Sequence, residues 1–529
     1  MSANRPLTPN LLPAALIIGI AGVLFQTTPK SEDFWWTDGA SFALNGALVH
    51  DYLVSGFHRT PMAFAGEWFR HYPAVTISLY PPIFPLAEAF AFTLFGVSHA
   101  VAQATVAAFT GLAVFGGYRL ARTAMGRAEA GAGVLLLFAA PTILLWSRQV
   151  MMELPSLAFL LLAAACFLGF QASRRTRDLV LSVLLLLAAV YTKQTAIFAV
   201  PAFAVALIAT AGWQGLRDRR VWLAAAAGVI GLLPLAGFTL IAAREALDIA
   251  LGRGIAAASG GALQGGGHLA QTVAYGLALP EVVGWPLLVA AACYTALVPV
   301  RGWRTPAEQR LAVLMFAWFA CGFAFVSFTG HFDARYALPL AVPCAMLCAL
   351  LIARLPGRTI RPFAALTAGA AWFAVSVWAH PIDRISGYDA VAAYILDHSK
   401  QDDAIWFQAS ESKSVSFSLR SRSPEPKVVL LRAEKFLVDY RIARDWGISD
   451  RGWTTRQLQD LIDRNDISMA VLEPGFWDDQ PSMARMRDYI LSDKFRLAAE
   501  IPITSDLPSH RTAISIFVRN RPAAARPDR

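Results

Sequence analysis

Three carboxylates stand among large aromatic side chains near the start of the chain. Glu32, Asp33 and Asp38 lie in the stretch SEDFWWTDGASFALNG, residues 31–46, together with Phe34, Trp35, Trp36 and Phe42. A positioned carboxylate can take a proton from a hydroxyl or an amine, and aromatic rings pack against the apolar faces of a substrate. The pattern therefore predicts a site at which a general base meets a substrate that is both polar and apolar.

This stretch follows directly on an apolar run, LLPAALIIGIAGVLFQ, and the whole chain is apolar. Of its 529 residues, 56% are hydrophobic and 16% are charged, and the mean hydropathy is +0.47. These values exclude a single soluble globule and predict a polytopic α-helical membrane protein. The net charge of +9 lies mainly in short loops between apolar runs. There it sets topology, so we expect membrane lipids and no nucleic acid as partners.

Twelve apolar runs approach the roughly 20 residues that a spanning helix needs. They cover residues 11–27, 79–97, 98–117, 129–146, 154–171, 179–192, 194–212, 221–243, 284–300, 311–328, 334–353 and 362–379. Five short loops between them carry three arginines each, at positions 119–127, 174–177, 217–220, 301–310 and 354–361. The positive-inside rule puts all five loops and Arg5 in the cytoplasm, which requires that one run between Gln26 and Ala100 does not cross.

The run that does not cross is 79–97, because it opens with LYPPIFP and carries Glu88. We expect it to lie along or dip into the outer surface. About eleven spans then remain, in an inner membrane, with a cytoplasmic N-terminus and a first outer loop over residues 28–97.

The composition changes after residue 380. The segments AIWFQA, KVVLLRA, SMAVLEPG and AISIFVRN read as strands, and YDAVAAYILDHS, TRQLQDLIDRN and MARMRDYILSD read as helices. This alternation predicts a periplasmic α/β domain over residues 381–520, after a membrane domain over residues 1–380. The last residues, 521–529, are predicted to be a disordered tail.

With this topology, the remaining charges near the spans lie on the outer face. Arg148 and Glu153 precede one span, Lys193 begins another, and Arg335 precedes a third. Ion-coupled transporters usually hold such groups near the bilayer midplane, whereas cations at headgroup level suit a lipid phosphate. This placement favours an enzyme that acts on a lipid-linked substrate over a transporter.

The order of these features resembles the GT-C superfamily of membrane glycosyltransferases over residues 1–380. The features are an acid early in the first outer loop, the YPP segment, the Arg148 and Glu153 pair, Lys193 before a span, and RYALP from Arg335. The aminoarabinose lipid A transferases and the protein O-mannosyltransferases, of the glycosyltransferase family 39 type, are the most similar members.

The resemblance implies a polyprenyl-phosphate sugar as donor, an inverting transfer at the outer face, and a lipid, glycan or protein as acceptor. Asp38 falls where the family has the acid of its first outer loop and would be the general base. Two positions depart from the family pattern. Gly39 stands where many members have Glu, and Tyr80 stands where many have Lys.

These departures leave alternatives open for the rest of the site. Asp33 or Glu32 would supply a second carboxylate for the acceptor or, with Asp38, for a divalent cation. Lipid-phosphate contacts are expected from a wider set of residues: Lys193, Arg335, Arg148, Tyr80, Tyr336 and Arg59. The same cations and tyrosines also suit simple anchoring at the membrane interface. A flippase or transporter of lipid-linked glycans is the alternative function.

Overall fold

The computed structural model describes residues 11–77, 79–241, 244, 267–329, 332–357, 359–440, 444 and 447–520. The tail predicted at 521–529 lies outside these residues. Helices occupy the first part: α1 Leu11–Gln26, α2 Thr37–Val54, α3 Pro61–His71, α4 Ile83–Phe95, α5 His99–Ala121, α6 Arg127–Phe138, α7 Pro141–Trp146, α8 Glu153–Ser173, α9 Thr176–Thr192, α10 Ala199–Leu216, α11 Arg219–Ile241, α12 Gly267–Val283, α13 Trp285–Arg301, α14 Pro306–Ser327, α15 Ala341–Arg354 and α16 Arg361–Ala379. Two 3₁₀ turns, Gln194–Phe198 and Ala334–Leu340, lead into α10 and α15.

Within the described residues, seven helices are long and apolar enough to cross a membrane, or eight if the bent pair α12 and α13 counts as one span. This makes the chain an integral membrane protein. The count of about eleven spans stays a prediction, because several of the runs behind it form shorter helices. The run 129–146 divides into α6 and α7 where Pro141 begins a new helix. Helix α12 has no counterpart among the predicted runs, and it carries Pro280 inside it.

The run 79–97 forms the short helix α4, which begins after Pro82. Its 13 residues are about 20 Å long at 1.5 Å per residue, less than the roughly 30 Å of a bilayer core. After α4 the chain comes back beside the segment that follows α1, because the His99 Nδ1, at the start of α5, lies 2.8 Å from the carbonyl oxygen of Glu32. The start of α5 and the end of the α1 segment are therefore neighbours, as the non-crossing prediction requires.

The C-terminal part is an α/β layer whose strands include all four predicted ones. Its strands are β1 Ile385–Ser386, β2 Asp403–Gln408, β3 Val428–Arg432, β4 Val438–Tyr440, β5 Ile448–Asp450, β6 Ile467–Leu472, β7 Phe495–Ser505 and β8 Thr512–Arg519. Its helices are α17 Tyr388–His398, α18 Ser412–Arg422, α19 Ala433–Leu437, α20 Thr455–Arg464 and α21 Pro481–Ile490. Six strands form one sheet in the order β1-β7-β8-β6-β2-β3, in which β2 runs parallel to β3 and β6 and the remaining pairs are antiparallel.

The α/β layer packs directly on the first outer loop. The Phe34 and Phe417 rings meet edge to face at 5.0 Å, and Arg420 on α18 forms a buried ion pair with Asp51 on α2. The apolar core is continuous across this contact. Helix α18 thus lies over α2, the helix that begins at the Asp38 stretch.

Candidate active site

Asp38 lies in the first turn of α2, with Trp36 in extended backbone just before the helix. Its Oδ2 accepts a hydrogen bond from the Arg335 Nη1 at 3.0 Å, and its Oδ1 accepts one from the Lys413 Nζ at 3.2 Å. A helix N-terminus favours a carboxylate, and two charge-assisted bonds fix its orientation. Asp38 is therefore held by cations from two distant parts of the chain.

Burial and these cations act on Asp38 in opposite directions. Burial raises the pKa of the carboxyl, but the charges and hydrogen bonds of Lys413 and Arg335 outweigh it and hold the pKa below its ordinary value. Asp38 is thus ionised at neutral pH and is a weak base as long as both cations remain on it.

Gly39 lies in a tightly packed place. A Cβ there would lie 3.1 Å from the Phe34 ring and 3.4 Å from the carbonyl oxygen of Val150. The second acid that many GT-C members carry at this position would therefore require the Phe34 ring to move by a few tenths of an ångström. Tight packing between α2 and the segment before α8 thus favours glycine here.

Arg335 lies in the 3₁₀ turn before α15, which Asp333 caps by accepting the Arg335 backbone N–H at 2.9 Å. The Arg335 Nε is 2.6 Å from the Asp333 Oδ2 and 4.0 Å from the Glu153 Oε1. The Lys193 Nζ forms a close ion pair with the same Glu153 oxygen. Arg335 and Lys193 are thus joined through Glu153, which begins α8.

These side chains line a narrow cleft, which we call the cationic cleft; its polar lining comprises Glu153, Ser156, Lys193, Thr195, Arg335 and Tyr336. The Lys193 Nζ and the Arg335 Cζ lie 5.2 Å and 5.5 Å from the centre of the Tyr336 ring. Leu157 and Leu160 of α8 also line the cleft. A cleft with paired cations and an apolar wall suits a phosphate that carries a lipid chain.

Tyr80 lies close to the same cluster. Its ring meets Phe42 edge to face at 5.0 Å. Burial, together with the negative charge of Asp38, raises the pKa of the Tyr80 phenol. The phenol therefore stays protonated and is available as a hydrogen-bond donor. The structure brings together five residues that the sequence indicated separately: Tyr80, Tyr336, Lys193, Arg335 and Asp38.

Four residues named from the sequence lie apart from this cluster: Arg148, Glu32, Arg59 and Asp33. Arg148 is 2% exposed, and its guanidinium donates to the backbone carbonyls of Leu144 and His380. It does not pair with Glu153, which binds Lys193 instead. Glu32 pairs with Arg384 of the α/β layer at 3.0 Å, and Arg59 pairs with Glu67 on the exposed surface.

Asp33 joins the first outer loop to the α/β layer. Its backbone N–H donates to the Ile385 carbonyl at 2.9 Å, and its Oδ2 accepts the Tyr388 N–H at 2.8 Å, at the start of α17. Burial raises the pKa of the Asp33 carboxyl to about 6, although the bond from Tyr388 opposes the rise. In this structure Asp33 is a docking residue of the α/β layer.

The residues around Asp38 do not fit a divalent cation. Both Asp38 oxygens face cationic side chains, while Asp33 and Glu32 bind Tyr388 and Arg384. Across the ranges that the structure describes, no group of three or more His, Cys, Asp or Glu side chains could hold a metal ion.

Lys413 is the site residue that sequence reasoning missed. It lies on α18 in the segment SESKSVSFSLR, in which Val415, Phe417 and Leu419 alternate with serines as in a half-buried strand, although the segment folds as a helix. Only the folding of the α/β layer onto the first outer loop brings it to Asp38.

Comparison with known proteins supports this architecture. Residues 80–238 match the family model for dolichyl-phosphate-mannose-protein mannosyltransferase. No curated protein matches the sequence. The crystal structure of ArnT from Cupriavidus metallidurans bound to undecaprenyl phosphate is 15% identical, covers 96% of this chain and 98% of its own, and superposes with a TM-score of 0.62.

A second solved structure is more distant. The archaeal oligosaccharyltransferase AglB from Archaeoglobus fulgidus, in complex with an inhibitory peptide and a dolichol-phosphate, is 12% identical, covers 96% of this chain and 74% of its own, and has a TM-score of 0.51. Both matches extend over the helical bundle and the C-terminal layer. The resemblance seen in the sequence is confirmed, and this chain is an integral membrane protein with the fold of the GT-C membrane glycosyltransferases.

Proposed function

We propose that this protein transfers a sugar from a polyprenyl-phosphate donor to an extracytoplasmic acceptor, with inversion at the anomeric carbon. The observation that carries the proposal is the placing of Asp38, ionised and bound by Arg335, at the edge of a cleft that also holds Lys193. A single displacement at a sugar phosphate needs a base next to a pair of cations that bind the phosphate.

The donor phosphate would take its place in the cationic cleft. There it would compete with Asp38 for Arg335 and with Glu153 for Lys193. The negative charge on the phosphate grows as the phosphate leaves. The two cations therefore stabilise the transition state more than the ground state. Tyr80, as a protonated phenol, would add a neutral hydrogen bond to a phosphate oxygen.

Donor binding would also activate Asp38. Once Arg335 turns to the phosphate, one of the two charges that lower the pKa of the carboxyl is neutralised, and its basicity rises. The acceptor hydroxyl or amine then attacks C1 of the sugar and gives its proton to Asp38. The bond from C1 to the phosphate oxygen breaks, and polyprenyl phosphate leaves. The base is restored when the proton passes to solvent.

Two further findings support a lipid-linked donor. The ArnT structure contains undecaprenyl phosphate, and the AglB structure contains a dolichol-phosphate. In this chain the cleft is walled by α8 and by the turn that leads into α15, so it lies at the end of the helical bundle where the α/β layer sits. We propose that this end faces the periplasm.

A flippase would need a polar path through the bundle. The ion-paired groups of the described spans lie at helix ends instead: Glu153 and Glu308 in first turns, and Arg354 in a last turn. This distribution favours transfer at one face over transport.

The proposal is tested with the full chain in lipid nanodiscs, supplied with radiolabelled undecaprenyl-phosphate sugars and cell-envelope extract. We expect label to enter a product that is not the donor, with the anomeric configuration opposite to that of the donor. Release of free sugar phosphate, retention of configuration, or movement of intact donor across liposomes without transfer would each contradict the proposal.

A further inference from the structure

A second cavity, of about 920 Å³, opens where the first outer loop meets the α/β layer; we call it the aromatic cavity. Trp35, Trp36 and Thr37 line it from the loop, and Tyr388, Glu411 and Glu473 line it from the layer. It adjoins the Asp38 site, because Thr37 directly precedes Asp38 and Glu411 stands two residues before Lys413. Trp36 lies between the aromatic cavity and the Asp38 site, since its ring is 5.8 Å from the Arg335 Cζ.

The two tryptophans supply the apolar surface of the cavity. Their rings lie 5.6 Å apart and are tilted by 39° to each other. The Nε1 atoms of Trp35 and Trp36 are buried and have no partner among the residues that the structure describes, so a ligand in the cavity does not reach them. Such a ligand packs an apolar face on the indole rings instead.

The α/β side of the cavity supplies acceptors. The Glu473 Oε2 accepts the Ser410 N–H at 2.7 Å, and the Glu411 Oε2 accepts the Ser414 hydroxyl at 3.3 Å, which leaves acceptor capacity on both carboxyls. Burial raises the pKa of Glu411 to about 7, and the charges of Glu473 and Asp33 add to the rise. A ligand carrying its own negative charge would meet these carboxyls unfavourably.

We infer that the aromatic cavity binds an uncharged saccharide, the acceptor of the reaction, and directs one of its hydroxyls to Asp38. The claim that this saccharide is the acceptor rests on the proposed function. The claim that a saccharide binds in the cavity does not. Sugar rings have apolar C–H faces for the indoles and hydroxyls that donate to carboxylates. The carboxyls of Glu411 and Glu473 disfavour an anionic glycan.

The experiment uses the full chain in nanodiscs, without donor, on an array of neutral, amino-sugar and acidic glycans. We expect binding to neutral glycans. Trp35→Ala removes a ring against which the sugar packs, and it should weaken binding about twofold to tenfold, the worth of one aromatic contact. Glu473→Gln should weaken it similarly. Trp213→Ala, at a tryptophan that is 75% exposed on α10, is the matched control and should bind as the wild type does.

Lys193→Ala separates this inference from the proposed function. It should weaken undecaprenyl phosphate binding and keep glycan binding, because Lys193 lines the cationic cleft and not the aromatic cavity. If neutral glycans bind in a Trp35-dependent way but no sugar is ever transferred, the saccharide site stands and the proposed function falls. Preference for acidic glycans, binding that Trp35→Ala and Glu473→Gln both leave unchanged, or binding of a peptide alone would overturn the inference. So would a protein that binds undecaprenyl phosphate but no glycan on the array.

Discussion

The Lys413 Nζ lies 3.2 Å from the Asp38 Oδ1, although 375 positions separate the two residues in the chain. The bond makes the α/β layer part of the candidate active site. A lysine that donates to the base lowers the basicity of its carboxylate. The layer therefore contributes chemistry to the site as well as covering it.

Lys413→Ala should shift the pH dependence of transfer. Lys413 is one of the two charges that hold the pKa of Asp38 down, so its removal raises that pKa toward the ordinary range. The acidic limb of the rate profile, where Asp38 becomes protonated, should move to higher pH. Lys413→Arg should keep the wild-type profile, because it keeps the charge.

The measurement is the transfer rate between pH 4 and 8 with saturating donor. Lys400→Ala, at an exposed lysine of the same layer, is the control and should behave as the wild type does. An acidic limb at the same pH in Lys413→Ala and in the wild type would show that the bond is incidental.

Lys193→Ala should weaken donor binding. It removes a cation from the cationic cleft, and a hydrogen bond to a charged group contributes about 1.5–3 kcal/mol, or roughly tenfold to a hundredfold in affinity. Arg59→Ala is the matched control, because Arg59 is also an outer-loop cation but forms an exposed pair with Glu67. Binding of undecaprenyl phosphate to nanodisc-embedded protein measures both. Equal losses in the two variants would remove Lys193 from the phosphate site.

Asp33 should make stability depend on pH. Its pKa is about 6 in the folded protein against an ordinary 3.8, so the folded state binds the proton more tightly than the unfolded state. Stability from this group is greatest below about pH 4 and is lost as the pH rises through about 6, a difference of about 3 kcal/mol. Asp33→Asn keeps an acceptor for the Tyr388 N–H and should flatten this fall.

Thermal unfolding of detergent-solubilised protein between pH 4 and 7.5 tests this, with Asp402→Asn at an exposed site as the control. A melting temperature that falls equally with pH in Asp33→Asn and in the wild type would assign the dependence to other groups.

The topology of the first outer loop has its own test. Phe95→Cys, at the exposed end of α4, should react with an impermeant thiol reagent added from the periplasmic side, and Arg122→Cys, just after α5, only from the cytoplasmic side. Labelling of both positions from the same side would show that α5 does not separate them and would overturn the placement of residues 79–97.

The sequence predicted those parts of the molecule that local pattern governs. The apolar runs become helices, and strands β2 Asp403–Gln408 and β8 Thr512–Arg519 appear where the sequence predicts strands. Strand β7 was missed because Arg496, Glu500 and Pro502 interrupt its apolar pattern, and its pairing with β8 overrides that local signal.

The same holds for the site. Asp38 could be named from its aromatic neighbours and its place early in the first outer loop, and Arg335 from its place before a late span, in the pattern that resembles the GT-C superfamily. The partner choices could not be predicted, since they depend on which segments meet. Glu153 binds Lys193 and leaves Arg148 to backbone carbonyls, and Asp33 docks the α/β layer. Lys413 could not be placed at Asp38 from the sequence, because only the packing of the α/β layer on the first outer loop brings the two together.

The central claim is that Asp38 is the general base, and Asp38→Asn tests it most directly. Asn keeps the size of the side chain and one acceptor for Arg335 or Lys413, so folding and undecaprenyl phosphate binding should remain near those of the wild type. What it removes is the oxygen that takes the acceptor proton, an effect commonly worth about 10² to 10⁴ in rate. The measurement is single-turnover sugar transfer with donor and acceptor both saturating. The account predicts a rate at most about a hundredth of the wild-type rate with donor binding intact, and a variant that keeps a tenth or more of the wild-type rate would contradict it.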